Sequence, residues 1–295
     1  MGPTLESFVV VTREYDVELQ THAVRVLEWG LPGGRLVVAL HGFPDTAWTW
    51  RYVAPLLADA GLRVAAPFLR GYAPSGIPDD RDYSVRALAA DAVALHAALG
   101  GGPDAVLLGH DWGAITTNAV VGDPASPYGR HVSLAVAPFA AMNPTRATLG
   151  AWLSAMVRQP FHSWYIAANQ VPGLSERNFD RLAARLWRSW SPGYDAREDL
   201  DLLRAAVPDL EHARAVVSYY RAMLGSGIKP ALAEPAAPLL YLHGDRDGAL
   251  DPRFFPVVEQ WMPSSSRAAL VAGAGHFLQL ERPDEVAAEI LAFVG

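Results

Sequence analysis

The sequence predicts an α/β fold: a mostly parallel sheet flanked by helices and carrying an inserted helical cap. Three observations lead there. Short continuous apolar runs, such as residues 36–40 (LVVAL) and 105–108 (AVLL), alternate with runs of helical spacing. That is the pattern of strands covered on both faces and joined by right-handed crossovers. From about residue 143 to 234 the short apolar runs stop, and Trp152, Trp164, Trp187 and Trp190 fall into helical patterns instead. The strand pattern then resumes at 238–242. The expected division is a first part of the core at 1–142, a cap at 143–234 and the remainder of the core at 235–295.

In chain order, residues 8–29 alternate apolar and polar positions in two runs, which predicts an antiparallel strand pair at a sheet edge. The strand at 36–40 ends in His41, Gly42, Phe43 and Pro44, and a helix over 50–60, a strand over 63–67 and the loop RGYAPSG follow. Ser84 suits the N-cap of a helix with Val85, Leu88, Ala92 and Leu95 on one face. Residues 105–108 form the next strand, and 131–136 another, which ends in APFAAMNP without a carboxylate. Within the insertion, helical spacing covers 179–190 and 211–224, with breaks at Pro172, Gly173, Pro192 and Gly193. A strand over 268–271 and an amphipathic helix over 285–294 close the chain. Sheets of this kind place their sites at the carboxyl ends of the strands. The cap is expected over those ends, where it shields a pocket from water.

Composition narrows the function. Hydrophobic residues make up 51%, the formal net charge is −7, and Lys and Arg form no run, so neither nucleic acid nor an anionic membrane is expected as partner. The expected ligand is small or neutral. With no cysteine, disulfides, thiolate catalysis and Cys-ligated zinc are excluded. No His, Asp or Glu cluster has metal-ligand spacing, so no metal is expected. The opening MGPTLESFVVV lacks a basic region and a long apolar segment, and Glu6 stands where myristoylation needs Ser or Thr. A soluble, cytoplasmic protein is expected.

The chemistry centres on residues 107–118, LLGHDWGAITTN, where an apolar run stops at Gly109 and helical spacing begins after Gly113. Asp111 stands between those glycines. The spacing resembles the nucleophile elbow of α/β hydrolases, a strained strand-to-helix turn that exposes one reactive side chain. A carboxylate, with an ordinary pKa of about 3.9, is ionised at pH 7 without help from a base. Its attack on an ester or amide carbonyl gives an anhydride that collapses back, whereas attack on a saturated carbon bearing a leaving group gives a stable ester. The elbow therefore predicts displacement at sp3 carbon.

Hydrolysis of that ester needs a water-activating base with a pKa near neutrality, which points to His276 in GAGHFLQ. Asp247 in HGDRDGAL is the preferred carboxylate to orient it. Asp245 shares the loop and is the rival, but stands closer to the strand end, where it is better placed to order the loop. The order nucleophile, acid, histidine is that of α/β hydrolases. The backbone N–H groups of Phe43 and Trp112 are the candidate oxyanion donors. Of the nine histidines, His110 is expected to pack beside the elbow, and His22, His96, His131, His162, His212 and His243 have no matching partner.

The leaving group decides the substrate. A halide leaves as a stable anion and wants N–H donors, whereas an opened epoxide leaves as a basic alkoxide and wants an acid such as tyrosine, whose ordinary pKa is about 10. HGFPDTAWTWR, RGYAPSG, GHDWGA and GAGHFLQLERP together resemble the epoxide hydrolase branch of the α/β hydrolase superfamily, and the match covers nearly the whole chain. The resemblance implies the α/β hydrolase fold, a cofactor-independent enzyme, and two cap tyrosines that activate the epoxide oxygen. Tyr165 precedes Pro172 and Gly173 at the family's spacing, and Tyr220, in YYRAM, resembles the second. Trp164, Tyr219 and Tyr194 are neighbouring alternatives. Phe43, Trp112, Phe139, Leu250 and Phe277 are the expected pocket walls, which implies a small apolar epoxide as substrate with water. The main rival is a haloalkane dehalogenase, which shares the triad and the Trp after the nucleophile; fluoroacetate dehalogenases carry Arg where this chain has Trp112. A hydrolase-fold protein that binds a hydrophobic ligand without turnover is the remote alternative.

Overall fold

The computed structural model describes residues 13–224 and 227–295. The part of the strand pair expected over residues 8–12 lies outside them. Eight strands form one sheet: β1 (Arg13–Glu18), β2 (Ala23–Trp29), β3 (Arg35–Leu40), β4 (Leu62–Pro67), β5 (Val106–His110), β6 (Arg130–Leu134), β7 (Leu239–Gly244) and β8 (Arg267–Val271). Their order is β1-β2-β4-β3-β5-β6-β7-β8. β1 and β2 pair antiparallel, β2 joins β4 antiparallel, and every later pairing is parallel. The central strands β5 and β7 are buried at every position, because helices cover both faces. At the edge, β1 exposes alternate residues.

The core helices are α1 (Val53–Asp59), α2 (Val85–Ala98) and α3 (Trp112–Val121). Ser84 caps α2 by accepting the Ala87 N–H at 3.3 Å. The helix expected over 50–60 divides into a 3-10 turn at Ala47–Trp50 followed by α1. Pro55 explains the division: it is tolerated in a first turn, but in a helix interior its ring would meet the carbonyl four residues earlier. β6 is shorter than the expected 131–136, since Ala135 takes a positive φ of 66° and turns the chain out of the sheet.

Between β6 and β7 the described residues form six α-helices: α4 (Leu149–His162), α5 (Trp164–Gln170), α6 (Leu174–Arg177), α7 (Phe179–Trp190), α8 (Arg197–Ala206) and α9 (Leu210–Ala222). α10 (Phe255–Trp261), α11 (Leu278–Glu281) and α12 (Pro283–Val294) return to the core. α8 is docked by a buried ion pair, Arg51 Nη1 to Asp199 Oδ1 at 2.7 Å, with the Tyr194 hydroxyl donating to the other oxygen at 2.9 Å. Among the described residues no helix is long and apolar enough to cross a membrane.

Candidate active site

Asp111 stands at the N-terminus of α3 with φ 50° and ψ −111°, outside the regions an L-residue normally occupies. Two glycines make that turn sterically possible. A Cβ on Gly109 would lie 2.1 Å from the Gly113 carbonyl oxygen, and one on Gly113 would lie 2.3 Å from that of Leu40. The strained turn projects the carboxylate from the end of β5 toward the loops after β3 and β8, which carry its partners Phe43 and His276.

The Phe43 N–H donates to Asp111 Oδ1 at 2.7 Å, and Oδ2 lies 3.6 Å from His276 Nε2. Trp112 begins α3, in the first turn whose amides the helix itself leaves unbonded. His276 Nδ1–H donates to Asp247 Oδ2 at 2.9 Å, while Asp247 Oδ1 accepts the Ala249 and Leu250 amides at 2.6 and 3.2 Å. Asp245 is exposed and accepts the Gly273 N–H at 2.7 Å, so it braces the loop after β7 against the loop after β8.

Electrostatics follow from burial and these contacts. Burial opposes a charge on His276, but the Asp247 and Asp111 carboxylates outweigh it and push the imidazole up to about 10. Burial opposes the Asp247 charge too, yet the facing His276 holds that carboxyl below its ordinary range. Beneath the pair, burial pushes the Asp45 carboxyl up to about 7 and His110 well below its ordinary value. Neutral His110 donates through Nε2 to the His276 carbonyl at 3.0 Å and so fixes the backbone of the base.

A cavity of about 190 Å³ opens above Asp111. Tyr165 of α5 and Tyr220 of α9 line it together with Asp111, Trp112 and His276, their rings perpendicular and 5.5 Å apart. Burial raises the pKa of both tyrosines, and the nearby Asp111 charge raises them further. Tyr220 Oη is buried and has no hydrogen-bond partner among the described residues. Its neighbours point elsewhere. The Tyr219 hydroxyl donates to the Arg70 carbonyl at 2.7 Å, Tyr194 is held by Asp199, and Trp164 lies under the Arg185 guanidinium at 4.3 Å.

The model of the alpha/beta hydrolase family matches residues 37–289, which includes the elbow, the loop after β3 and the His276 loop. Epoxide hydrolase A of Mycobacterium tuberculosis is 30% identical, over 92% of this chain and 94% of that one. The chain belongs to the epoxide hydrolase branch of the alpha/beta hydrolase family. This hydrolase is also 26% identical to bifunctional epoxide hydrolase 2 of Sus scrofa over 86% of its length, spanning 50% of that longer protein. The crystal structure of epoxide hydrolase A from Mycobacterium thermoresistibile superposes with a TM-score of 0.69 at 30% identity, covering 95% of this hydrolase and 97% of that chain.

Two of the expected pocket walls sit elsewhere. Phe43 and Phe277 are fully buried and do not line the cavity. The Phe43 ring packs edge-on against Tyr220 at 4.9 Å, and Phe277 is stacked on Trp187 at 3.5 Å. Phe43 turns its own N–H to Asp111, and Phe277 follows His276, whose side chain faces Asp111, so both rings turn the other way. Phe139 and Leu250 do line the cavity, joined by Ile115, Val136, Met142, Ile166 and Met223, which the sequence reading did not single out. Ile166 and Met223 carried a usable signal, being one and three residues beyond the two tyrosines.

Proposed function

We propose that this hydrolase opens small apolar epoxides to vicinal diols through an ester on Asp111, with residues 143–234 acting as the cap over the site. The observation that carries the reading is the meeting of two tyrosines with the elbow carboxylate in one apolar cavity, one hydroxyl buried without a partner. Leaving such a group unpaired costs about 1–3 kcal/mol, which an epoxide oxygen relieves on binding.

Asp111 Oδ2 bonds to an epoxide carbon as the ring C–O bond breaks, and the departing oxygen takes a proton from Tyr165 or Tyr220. Esterification removes the Asp111 charge that helps to hold the His276 proton, and that proton restores the tyrosine. Neutral His276 then takes a proton from water as the water oxygen adds to the ester carbonyl carbon. The Phe43 and Trp112 amides hold the oxyanion. Its collapse breaks the acyl C–O bond. The diol oxygen takes the proton from His276, and the new carboxylic acid returns its own to the imidazole.

The dehalogenase reading asks for a second side-chain N–H beside Trp112. Gln159 lines the cavity, but its amide already donates to Ser163 Oγ and the Ala249 carbonyl, at 2.9 and 2.7 Å. The test assays simple epoxides beside bromoalkanes in the wild type and in Tyr165→Phe/Tyr220→Phe. Epoxide turnover is expected to fall by on the order of 100-fold or more in the double variant. Bromide release that survives both substitutions and exceeds epoxide turnover overturns the reading. In a single turnover in labelled water the label enters the Asp111 carboxylate; label in the diol rules out the covalent route.

A further inference from the structure

The three loops that carry the acid Asp247, the base His276 and the Phe43 oxyanion donor share one support outside the core. A helix leaves its last four carbonyls without internal partners. Trp190 ends α7, and its carbonyl accepts two core amides, Gly248 at 3.1 Å and His276 at 3.0 Å. Gly248 follows the acid Asp247, so one oxygen ties the acid loop to the base loop. Ser191 Oγ accepts the Phe277 N–H at 3.1 Å. One turn earlier, Trp187 Nε1 donates to the Pro44 carbonyl at 2.8 Å, beside the Phe43 amide that holds Asp111. The same indole lies flat on the Phe277 ring, 3.5 Å away and 5° from parallel. The approach is backbone to backbone. A Cβ on Gly248 would lie 2.0 Å from the Ser189 carbonyl oxygen, and one on Gly275 would lie 2.6 Å from Ser191 Cα.

We infer that the C-terminal turn of α7 assembles the active site, with Ser191 and Trp187 as positioning residues that act on different steps of the proposed reaction. Ser191 fixes the backbone beside His276, which takes no part in bond breaking at the epoxide and acts as base when water attacks the ester. Trp187 fixes the loop of the Phe43 donor. That donor orients Asp111 during ring opening and holds the oxyanion during hydrolysis, so Trp187 serves both steps. The inference rests on the covalent reading given above.

Rapid mixing of the full-length protein with styrene oxide, followed by tryptophan fluorescence and intact mass, separates ester formation from ester hydrolysis. Ser191→Ala is expected to leave the rate of ester formation within about twofold and to slow ester hydrolysis about tenfold, so that the ester accumulates. Trp187→Phe keeps the stack on Phe277 and loses the N–H; both rates are expected to fall about fivefold, the worth of one hydrogen bond near 1 kcal/mol. A role in folding alone lowers the burst amplitude and leaves both rates unchanged, which overturns the inference, as does equal slowing of both steps in Ser191→Ala. If the wild type forms no ester, the covalent reading has failed, and the positioning role is then read without turnover. In a nitrogen NMR titration of His276, Ser191→Ala is expected to lower the imidazole pKa while Trp187→Phe leaves it in place. Titrations unmoved in both variants overturn the positioning role by themselves.

Discussion

Two helices of the inserted segment, α4 and α7, are built to opposite plans. α7 buries Phe179, Leu182, Ala183, Leu186, Trp187 and Trp190, half of its twelve residues, and meets the core through the Trp190 carbonyl and the buried Trp187 side chain. α4 buries only Ala155 of fourteen, and Leu153, Val157 and Phe161 face outward. Its ties to the acid loop are side-chain bonds: Gln159 to the Ala249 carbonyl and the Asp251 amide, and His162 Nδ1 to the Gly248 carbonyl at 2.7 Å. Pro160 also removes one hydrogen bond from the last turn of α4. The contrast separates two duties. α7 is the fixed wall braced against the loops of Asp247 and His276, and α4 is the outer wall, held by a few side-chain contacts.

The largest effect that bears on this contrast is on stability. Trp187→Ala removes the flat stack on Phe277 and leaves the Pro44 carbonyl without its donor, in a region with no space to relax. Large-to-small changes of this kind cost about 3–5 kcal/mol, and urea unfolding is expected to show that loss. A cost similar to that of an α4 surface change would break the distinction between the two helices.

Next in size is the dependence of stability on pH, which belongs to the α7 side because His276 is bonded to the end of that helix. The folded imidazole is held at about 10, against an ordinary value of 6.5. A group whose folded pKa is raised stabilises fully below its unfolded value and loses that contribution as pH rises through the folded one. Unfolding free energies of the wild type relative to His276→Gln are therefore expected to converge as pH rises from 6.5 to 10. A difference that stays flat over this range would mean that His276 is neutral in the resting protein.

The same contrast explains what could be read from sequence. The parallel strands were legible because burial on both faces leaves a continuous apolar signature, and the elbow because its close approaches permit only glycine at 109 and 113. Asp247 and Asp245 could be weighed against each other by distance from the strand end, which is chemistry carried by side chains. The role of α7 left no such mark. Its central tie runs through the carbonyl of Trp190 and the amides of Gly248 and His276, groups that every residue possesses, and the Trp187 indole and Ser191 hydroxyl find their partners in backbone atoms far off in sequence. Phe43 and Phe277 misled for a related reason: the Phe43 amide faces Asp111 and the Phe277 amide faces Ser191 of the inserted segment, while both rings pack into the core.

The smallest expected effect lies on α4. Phe161 is 80% exposed, so Phe161→Ser removes little buried apolar area, and its side chain does not line the cavity. Surface changes of this kind stay within about 0.5 kcal/mol, and the variant is expected to unfold with the wild type and to keep its pH profile. The measurement is sharp because the alternative has a distinct signature. If the outward face formed by Leu153, Val157 and Phe161 is covered by a second copy in solution, Phe161→Ser costs more than about 2 kcal/mol, and wild-type stability rises with protein concentration by mass action. In that case α4 is a buried helix of an assembly, and its outward face is not open to solvent. Stability independent of both the substitution and the concentration leaves α4 as the outer wall and α7 alone as the frame.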